Sequence, residues 1–247
     1  MDRTRDGKPL KDDLSNYDAS KYERPSVTVD ICICTIPMRE DGTFYSHDKN
    51  LKVLLIKRKN PPFRNCWAIP GGFLEVSKRE TLDETACREL VEETNLKGFY
   101  LEQLKSYGDP DRDPRTRVVT VAYFALVPWN NGLKKAMAGD DAKEATWFNL
   151  RWPPQMAFDH RKILKDLMGR LAGKISYTPI AFSLLPKKFT WIQLQTIYEI
   201  ILGRDLLTPN FRRKIKSLYE IEELDEMIPG SGRPSRLLRF KRMKEPL

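Results

Sequence analysis

The sequence contains no apolar run near the roughly 18 residues that a membrane-spanning helix needs. Residues 1–25 offer no hydrophobic stretch that could serve as a signal peptide, so the expected location is the cytoplasm, with no membrane partner. Cysteine is sparse: Cys32, Cys34, Cys66 and Cys87 have neither CxxC spacing nor a histidine cluster beside them. That argues against a zinc site and a disulfide framework, and leaves reduced thiols, mostly buried in strands and a helix. No internal repeat or low-complexity segment is present, which removes repeat architectures from consideration.

What is there suits two ordinary domains: 247 residues, 40% of them hydrophobic. Residues 1–25 are polar and aperiodic and read as a flexible lead-in. From Ser26 the pattern alternates, with Val27, Val29, Ile31 and Ile33 on one face of a strand. Further strands are expected at 51–58, 66–70, 99–107, 117–127 and 144–150. A helix over about 81–94 interrupts them, and a second begins near Asp159, with His160, Ile163, Leu164, Leu167 and Leu171 at helical spacing. Residues 26–178 therefore form a mixed α/β unit. Pro179 and Pro186 mark the crossing to a second unit, 179–247, of short helices and a basic tail with no further long strand pattern. From Pro179 on, thirteen Lys or Arg stand against eight Asp or Glu, a net +5 of the chain's +9. The excess of positive charge is concentrated at the back, where a polyanionic partner would find it.

The most informative stretch is GGFLEVSKRETLDETACRELVEETNL, residues 71–96. On a helix, Glu89, Glu92 and Glu93 fall within an arc of roughly 100°, while Cys87, Leu90, Val91 and Thr94 cluster on another side. Like charges packed on one face destabilise a helix unless cations neutralise them, and oxygen ligands favour Mg2+ or Mn2+. Arg88 stands one turn from both Glu84 and Glu92 and can brace the cluster by ion pairing. Metals held there would orient a diphosphate and activate water.

These residues resemble the Nudix box: Glu80, seven residues, then Arg88-Glu89-Leu90-Val91-Glu92-Glu93 matches it without a gap. Seven residues rather than five separate Gly72 from Glu80, and Asn95 stands where the box has glycine. The resemblance implies a Nudix α/β/α sandwich with a mixed sheet, with Glu89, Glu92 and Glu93 as metal and base carboxylates and Gly72 as a backbone metal ligand. Residues 106–128 resemble the ADP-ribose pyrophosphatase branch. Arg112, Arg115 and Arg117 there are suited to phosphate oxygens, or else belong to an ordinary polar turn. Arg58 and Arg64 flank the WAIPGG strand and can reach the same pocket. Tyr107 and Trp67 read as core or pocket-wall aromatics more than as base stackers.

In the tail, Thr190 and Gln193 form a capping box that opens a helix with Leu194, Ile197, Tyr198 and Ile201 as its apolar stripe, and Gly203 closes it. A second helix starts at Thr208, read as its cap, with Pro209 in the first turn. It buries Phe211, Ile215 and Leu218 and leaves Asn210, Arg212, Arg213, Lys216 and Ser217 outward, a basic face that suits a major groove. Residues 228–242 read as a hairpin with a GSGR tip, carrying Arg233, Arg236, Arg239 and Lys241. Helices followed by a basic hairpin make a small winged-helix domain; an accessory helical cap is the plainer alternative. The whole order, about residues 26–242, resembles the Nudix-related transcriptional regulators. Two functions follow from the resemblance: Mg2+-dependent cleavage of ADP-ribose or a related nucleoside diphosphate derivative, and ligand-responsive regulation in which the Nudix domain senses without turnover. Double-stranded DNA is the implied partner and a homodimer the implied assembly.

Overall fold

The computed structural model describes residues 17–39, 42–45, 49–94, 99–129, 142–228 and 234–244. Nine strands and four α-helices are assigned among these residues. The first part runs β1 (Ser26–Thr35), β2 (Lys52–Arg58), β3 (Trp67–Ala68), β4 (Gly71–Phe73), α1 (Leu82–Thr94), β5 (Tyr100–Tyr107), β6 (Val118–Leu126), β7 (Ala142–Asn149) and α2 (His160–Lys174). The second part has a 3-10 turn at Pro179–Leu184, then α3 (Trp191–Leu202), α4 (Thr208–Leu218), β8 (Tyr219–Ile228) and β9 (Ser235–Met243).

The alternation in SVTVDICICT makes β1 a strand with two apolar faces, and such a strand belongs inside a sheet. It runs parallel to β6, from Ser26 opposite Val118 to Cys34 opposite Leu126, and antiparallel to β2 and β4. β2 pairs with β3 and β7, and β5 with β6, all antiparallel, so the sheet is mixed. On one face Val29, Ile31 and Ile33 meet Ala86 and Leu90 of α1. On the other, Cys32, Cys34 and Phe124 meet Ile163, Leu164 and Leu167 of α2. Helices on both faces complete the α/β/α sandwich expected of the front part.

The second cluster continues into Leu194, Ile197 and Ile201 of α3 and Phe211 and Ile215 of α4. The capping box closes as expected: Gln193 N–H donates to Thr190 Oγ1 at 3.2 Å, and Thr190 N–H to Gln193 Oε1 at 2.7 Å. Gly203 ends α3 in the left-handed conformation, φ +69°, which glycine adopts without steric cost. Among the described residues no helix is long and apolar enough to cross a membrane.

Three expectations are corrected. The tail does hold long strands: β8 has 10 residues and β9 has 9, so the hairpin begins near Tyr219, not Ile228. Thr208 is not the cap of α4; it is the first helical residue, and Leu207 precedes it without a side-chain cap. Cys87 is exposed, because α1 turns Ala86 and Leu90, not Cys87, to the sheet, and Cys66, in the loop ahead of β3, is half-buried. The helix expected over about 81–94 is found at Leu82–Thr94, with Glu80 just ahead of it. The GSGR tip with Arg233, Asn95, and residues 1–16 lie outside the described residues.

Candidate functional site

Helix α1 is anchored by a capping box that its sequence announces in Thr81-x-x-Glu84 and that helical periodicity alone passes over. Thr81 N–H donates to Glu84 Oε2 at 2.8 Å, and Glu84 N–H to Thr81 Oγ1 at 3.2 Å. Glu84 is thereby spent on the cap and does not pair with Arg88, contrary to expectation. Arg88 instead draws four other carboxylates together. Its Nε donates to Glu80 at 3.2 Å, its Nη1 to Glu89 at 2.8 Å and to Glu92 at 3.3 Å, and Glu75 lies 3.9 Å from its Nη2. The repulsion expected of the acidic face is thus relieved by one guanidinium at its centre. The long loop before Glu80 is taken up by a 3-10 turn, Val76–Lys78, with Arg79 left-handed behind it, and this turn carries Glu75 to Arg88.

Glu89 is buried beside Gly72, and burial raises its carboxyl above the usual range, with Arg88 opposing that shift. A Cβ on Gly72 would lie 2.3 Å from Glu89 Oε1. Only glycine leaves this notch between β4 and the carboxylate. The donors around it are oxygens, the set a hard divalent cation takes. Among the described residues no three His, Cys, Asp or Glu already converge as a ligand set, and the Glu93 side chain is not among those described. Glu89 and Glu92 with the Gly72 backbone therefore fit a divalent cation that shares them with Arg88. Gly72→Ala is expected to leave the circular dichroism spectrum unchanged, because only the end of a side chain must move. Divalent-cation affinity measured by calorimetry should fall about tenfold or more, the usual cost of disturbing a group that orients a ligand.

A cavity of about 310 Å³ opens beside this cluster, between β1, β4, the loop before β6 and the segment leading into α2. Arg58 lines it, held by Pro62 O at 2.9 Å and stacked 4.8 Å over Phe158. Arg115 lines it too, paired with Asp113 at 2.7 Å and lying 5.8 Å over Phe73. Arg112 is present but committed: it is buried and bidentate to Asp159, with Nη2 to Oδ1 at 2.8 Å and Nε to Oδ2 at 3.2 Å. It braces the pocket floor more than it offers donors to a phosphate. Arg64 and Arg117 do not line the pocket; Arg64 is turned to solvent, its Nε on Lys59 O at 3.1 Å. Tyr107 and Trp67 are core residues, bonded to Asp166 at 2.9 Å and packed 4.6 Å from Phe148. The pocket aromatics are Phe73 and Phe158, and with Asp30 and His160 they are contributions that no local pattern discloses. Phe158 sits at φ +51°, a strained position for an aromatic residue that aims its ring between Arg58 and His160.

In the second part, α4 presents Asn210, Arg212, Arg213 and Lys216 to solvent. Arg212 and Lys216 lie 5.5 and 5.6 Å over the Trp191 ring, and Arg213 donates to Asn210 Oδ1 at 3.1 Å. β8 supplies acids both to its own basic partner strand and to α4, whose Lys216 pairs with Glu223 at 3.2 Å; Arg212 and Arg213 have no ion pair of this kind among the described residues. Glu222 pairs with Arg239 at 3.4 Å and Lys241 at 2.8 Å, Glu220 with Arg242 at 2.8 Å, and Glu223 with Arg236 at 3.7 Å.

Comparison with known proteins matches residues 40–167 to the NUDIX domain and residues 181–240 to the NrtR DNA-binding winged helix domain. The ADPR responsive transcriptional repressor NtrR of Acinetobacter baylyi is 36% identical over 229 residues, 92% of this chain and 86% of that protein. An ADP-ribose pyrophosphatase of Methanocaldococcus jannaschii is 44% identical over 158 residues, 64% of this chain and 80% of that protein. The crystal structure of Shewanella oneidensis NrtR complexed with a 27mer DNA superposes with a TM-score of 0.73 at 32% identity, covering 87% of this chain and 93% of that one. The chain therefore belongs to the Nudix family, as a Nudix domain joined to an NrtR-type winged helix domain.

Proposed function

We propose that residues 26–178 bind ADP-ribose and cleave its diphosphate with Mg2+ or Mn2+, and that residues 179–247 bind double-stranded DNA as part of a homodimer. ADP-ribose occupancy would then set DNA affinity. The observation that carries the hydrolase half is the intact carboxylate cluster, Glu80, Glu89 and Glu92, organised on Arg88 next to the Gly72 notch. A bound divalent cation supplies charge neutralisation of a diphosphate and activation of water. The chain's own residues orient the reacting group: Arg58 and Arg115, which both line the pocket, grip phosphate oxygens, while Glu89 and Glu92 hold the metal end.

The regulatory half is supported by ties from both ends of α3 to the Nudix domain. Gln193 Nε2 donates to Gly42 O at 2.6 Å, and Arg151 Nη2 reaches Ile200 O at 3.4 Å and Ile201 O at 3.3 Å. Arg151 leaves β7 and opens the segment that ends at Phe158 in the pocket, so a change at the pocket is transmitted to the DNA-reading unit through a short path. A sensing role without turnover is the second reading, supported by the likeness to the ADPR responsive transcriptional repressor NtrR over 92% of the chain. One experiment separates the readings. Full-length protein with Mg2+ is expected to release AMP from ADP-ribose and, on ADP-ribose addition, to change its mobility-shift affinity for its own upstream DNA. No AMP with any divalent cation, with the DNA response retained, leaves the sensor alone.

A further inference from the structure

The basic residues of the second part are held in two different ways. On β9, Arg239, Lys241 and Arg242 meet carboxylates of β8, and a carboxylate both cancels charge and takes up N–H donors that a phosphate would otherwise receive. On α4, Arg212 and Lys216 stand over one aromatic ring, that of Trp191, at 5.5 and 5.6 Å from its centroid. A ring attracts a cation through its quadrupole and brings no charge of its own. It fixes where the cation stands and leaves the charge for another partner. Lys216 is also tied to Glu223 at 3.2 Å, so Arg212 is the residue whose charge the ring leaves whole.

The place of Trp191 follows from how the two helices pack. Phe211 and Ile215 are the buried residues of α4 and share one core cluster with Leu194, Ile197 and Tyr198 of α3, the Tyr198 ring edge-on to Phe211 at 5.1 Å. Arg212 and Lys216 each follow one of these buried residues, so they run along the margin of the buried stripe with their heads in solvent. Two cations one turn apart repel each other, and a ring attractive to both offsets that repulsion. Trp191 itself has little freedom. It is the first residue of α3, directly after the Thr190 cap, and Phe189 exchanges two backbone hydrogen bonds with Leu238 of β9, at 3.0 and 2.7 Å. Its side chain is partly buried against the core. An anchored ring thus orders in advance two long side chains that would otherwise lose their rotamer freedom on meeting a duplex.

We infer that Trp191 is a positioning residue for DNA: its indole holds Arg212, and with it Lys216, in the direction from which a duplex is met, so the interface draws on α3 as well as on α4. The inference rests on the DNA half of the proposed function and adds to it a residue that bears no charge.

The test is a mobility-shift titration of full-length protein on the duplex from its own upstream region, with Trp191→Leu made in wild type and in the variant carrying Arg212→Ala and Lys216→Ala. In wild type the loss of affinity is expected to be about tenfold, the worth of ordering two long side chains in advance. With both cations gone, the same substitution should cost less than about twofold, since a residue that acts through others has nothing left to act on. Equal losses in the two backgrounds, or no loss in wild type, overturn the inference. A fluorinated tryptophan at position 191 covers the case of a leucine variant that does not fold, because it keeps the shape of the indole and drains its negative face. It is expected to weaken binding about threefold with thermal unfolding unchanged. Unchanged affinity with the fluorinated ring overturns the inference as well. A wild type that does not bind the duplex removes the DNA half of the proposed function and this inference with it, whereas binding that survives Trp191→Leu removes only the role of Trp191.

Discussion

Glu92→Gln is expected to lower AMP release from ADP-ribose by on the order of 10²- to 10³-fold, the range seen when one group that stabilises developing charge is removed. The substitution keeps the shape of the side chain and deletes its charge. Its effect on stability is expected to be small, because the Glu92 side chain is 56% exposed and its pairing with Arg88 at 3.3 Å is an exposed i,i+4 pair, worth ~0.5 kcal/mol or less. Arg88 keeps Glu80 and Glu89, so the cluster survives without Glu92. Unchanged thermal unfolding with lost turnover would place Glu92 in the chemistry; full turnover would remove it. Glu93→Gln is expected to act alike, on the strength of the box spacing. Glu89→Gln is a different experiment, since Glu89 is buried, abuts Gly72 and gives Arg88 its shortest contact, so loss of activity there mixes chemistry with structure.

The parts of this architecture that local chemistry dictates were legible before any coordinates. β1 follows from alternation, α3 from Thr190-x-x-Gln193 at one end and Gly203 at the other, and the carboxylate cluster from the spacing around Arg88. What escaped depends on partners distant in sequence. β8 was hidden because Glu220, Glu222 and Glu223 break its apolar alternation, and they are tolerated only because Arg242, Arg239 and Arg236 come opposite on β9. Arg112 has the right chemistry for a phosphate, yet Asp159, reached only when α2 packs on the sheet, takes its fork. A helical wheel finds an apolar stripe on α1 but does not say which of two neighbouring stripes meets the sheet; Ala86 and Leu90 do, and Cys87 is left outside. His160 and Asp30 stand far apart in sequence and become a pair only in the pocket.

Arg212→Ala with Arg213→Ala is expected to weaken binding to the chain's own upstream DNA by about 10²-fold, at ~1–3 kcal/mol for each side chain that reaches the duplex. Both residues stand on the exposed face of α4, and Arg212 is held there by the Trp191 ring. If the two contact phosphates, the slope of log affinity against log salt falls by about 1.8, from ~0.9 per phosphate. If either reads a base edge, the slope falls by less while discrimination between sequences relaxes, so a salt series separates the two roles. The hairpin supplies the control. Arg239 and Lys241 share Glu222, so half of their charge is already offset within the wing. Arg239→Ala with Lys241→Ala removes the same formal charge as the α4 pair but leaves Glu222 bare. Its effect on affinity is expected to come from that uncovered carboxylate facing the phosphates, not from lost contacts, and Glu222→Gln added to it should restore most of the loss. Equal, additive losses from helix and hairpin, with no rescue by Glu222→Gln, would show that net positive charge, not the α4 surface, carries DNA binding.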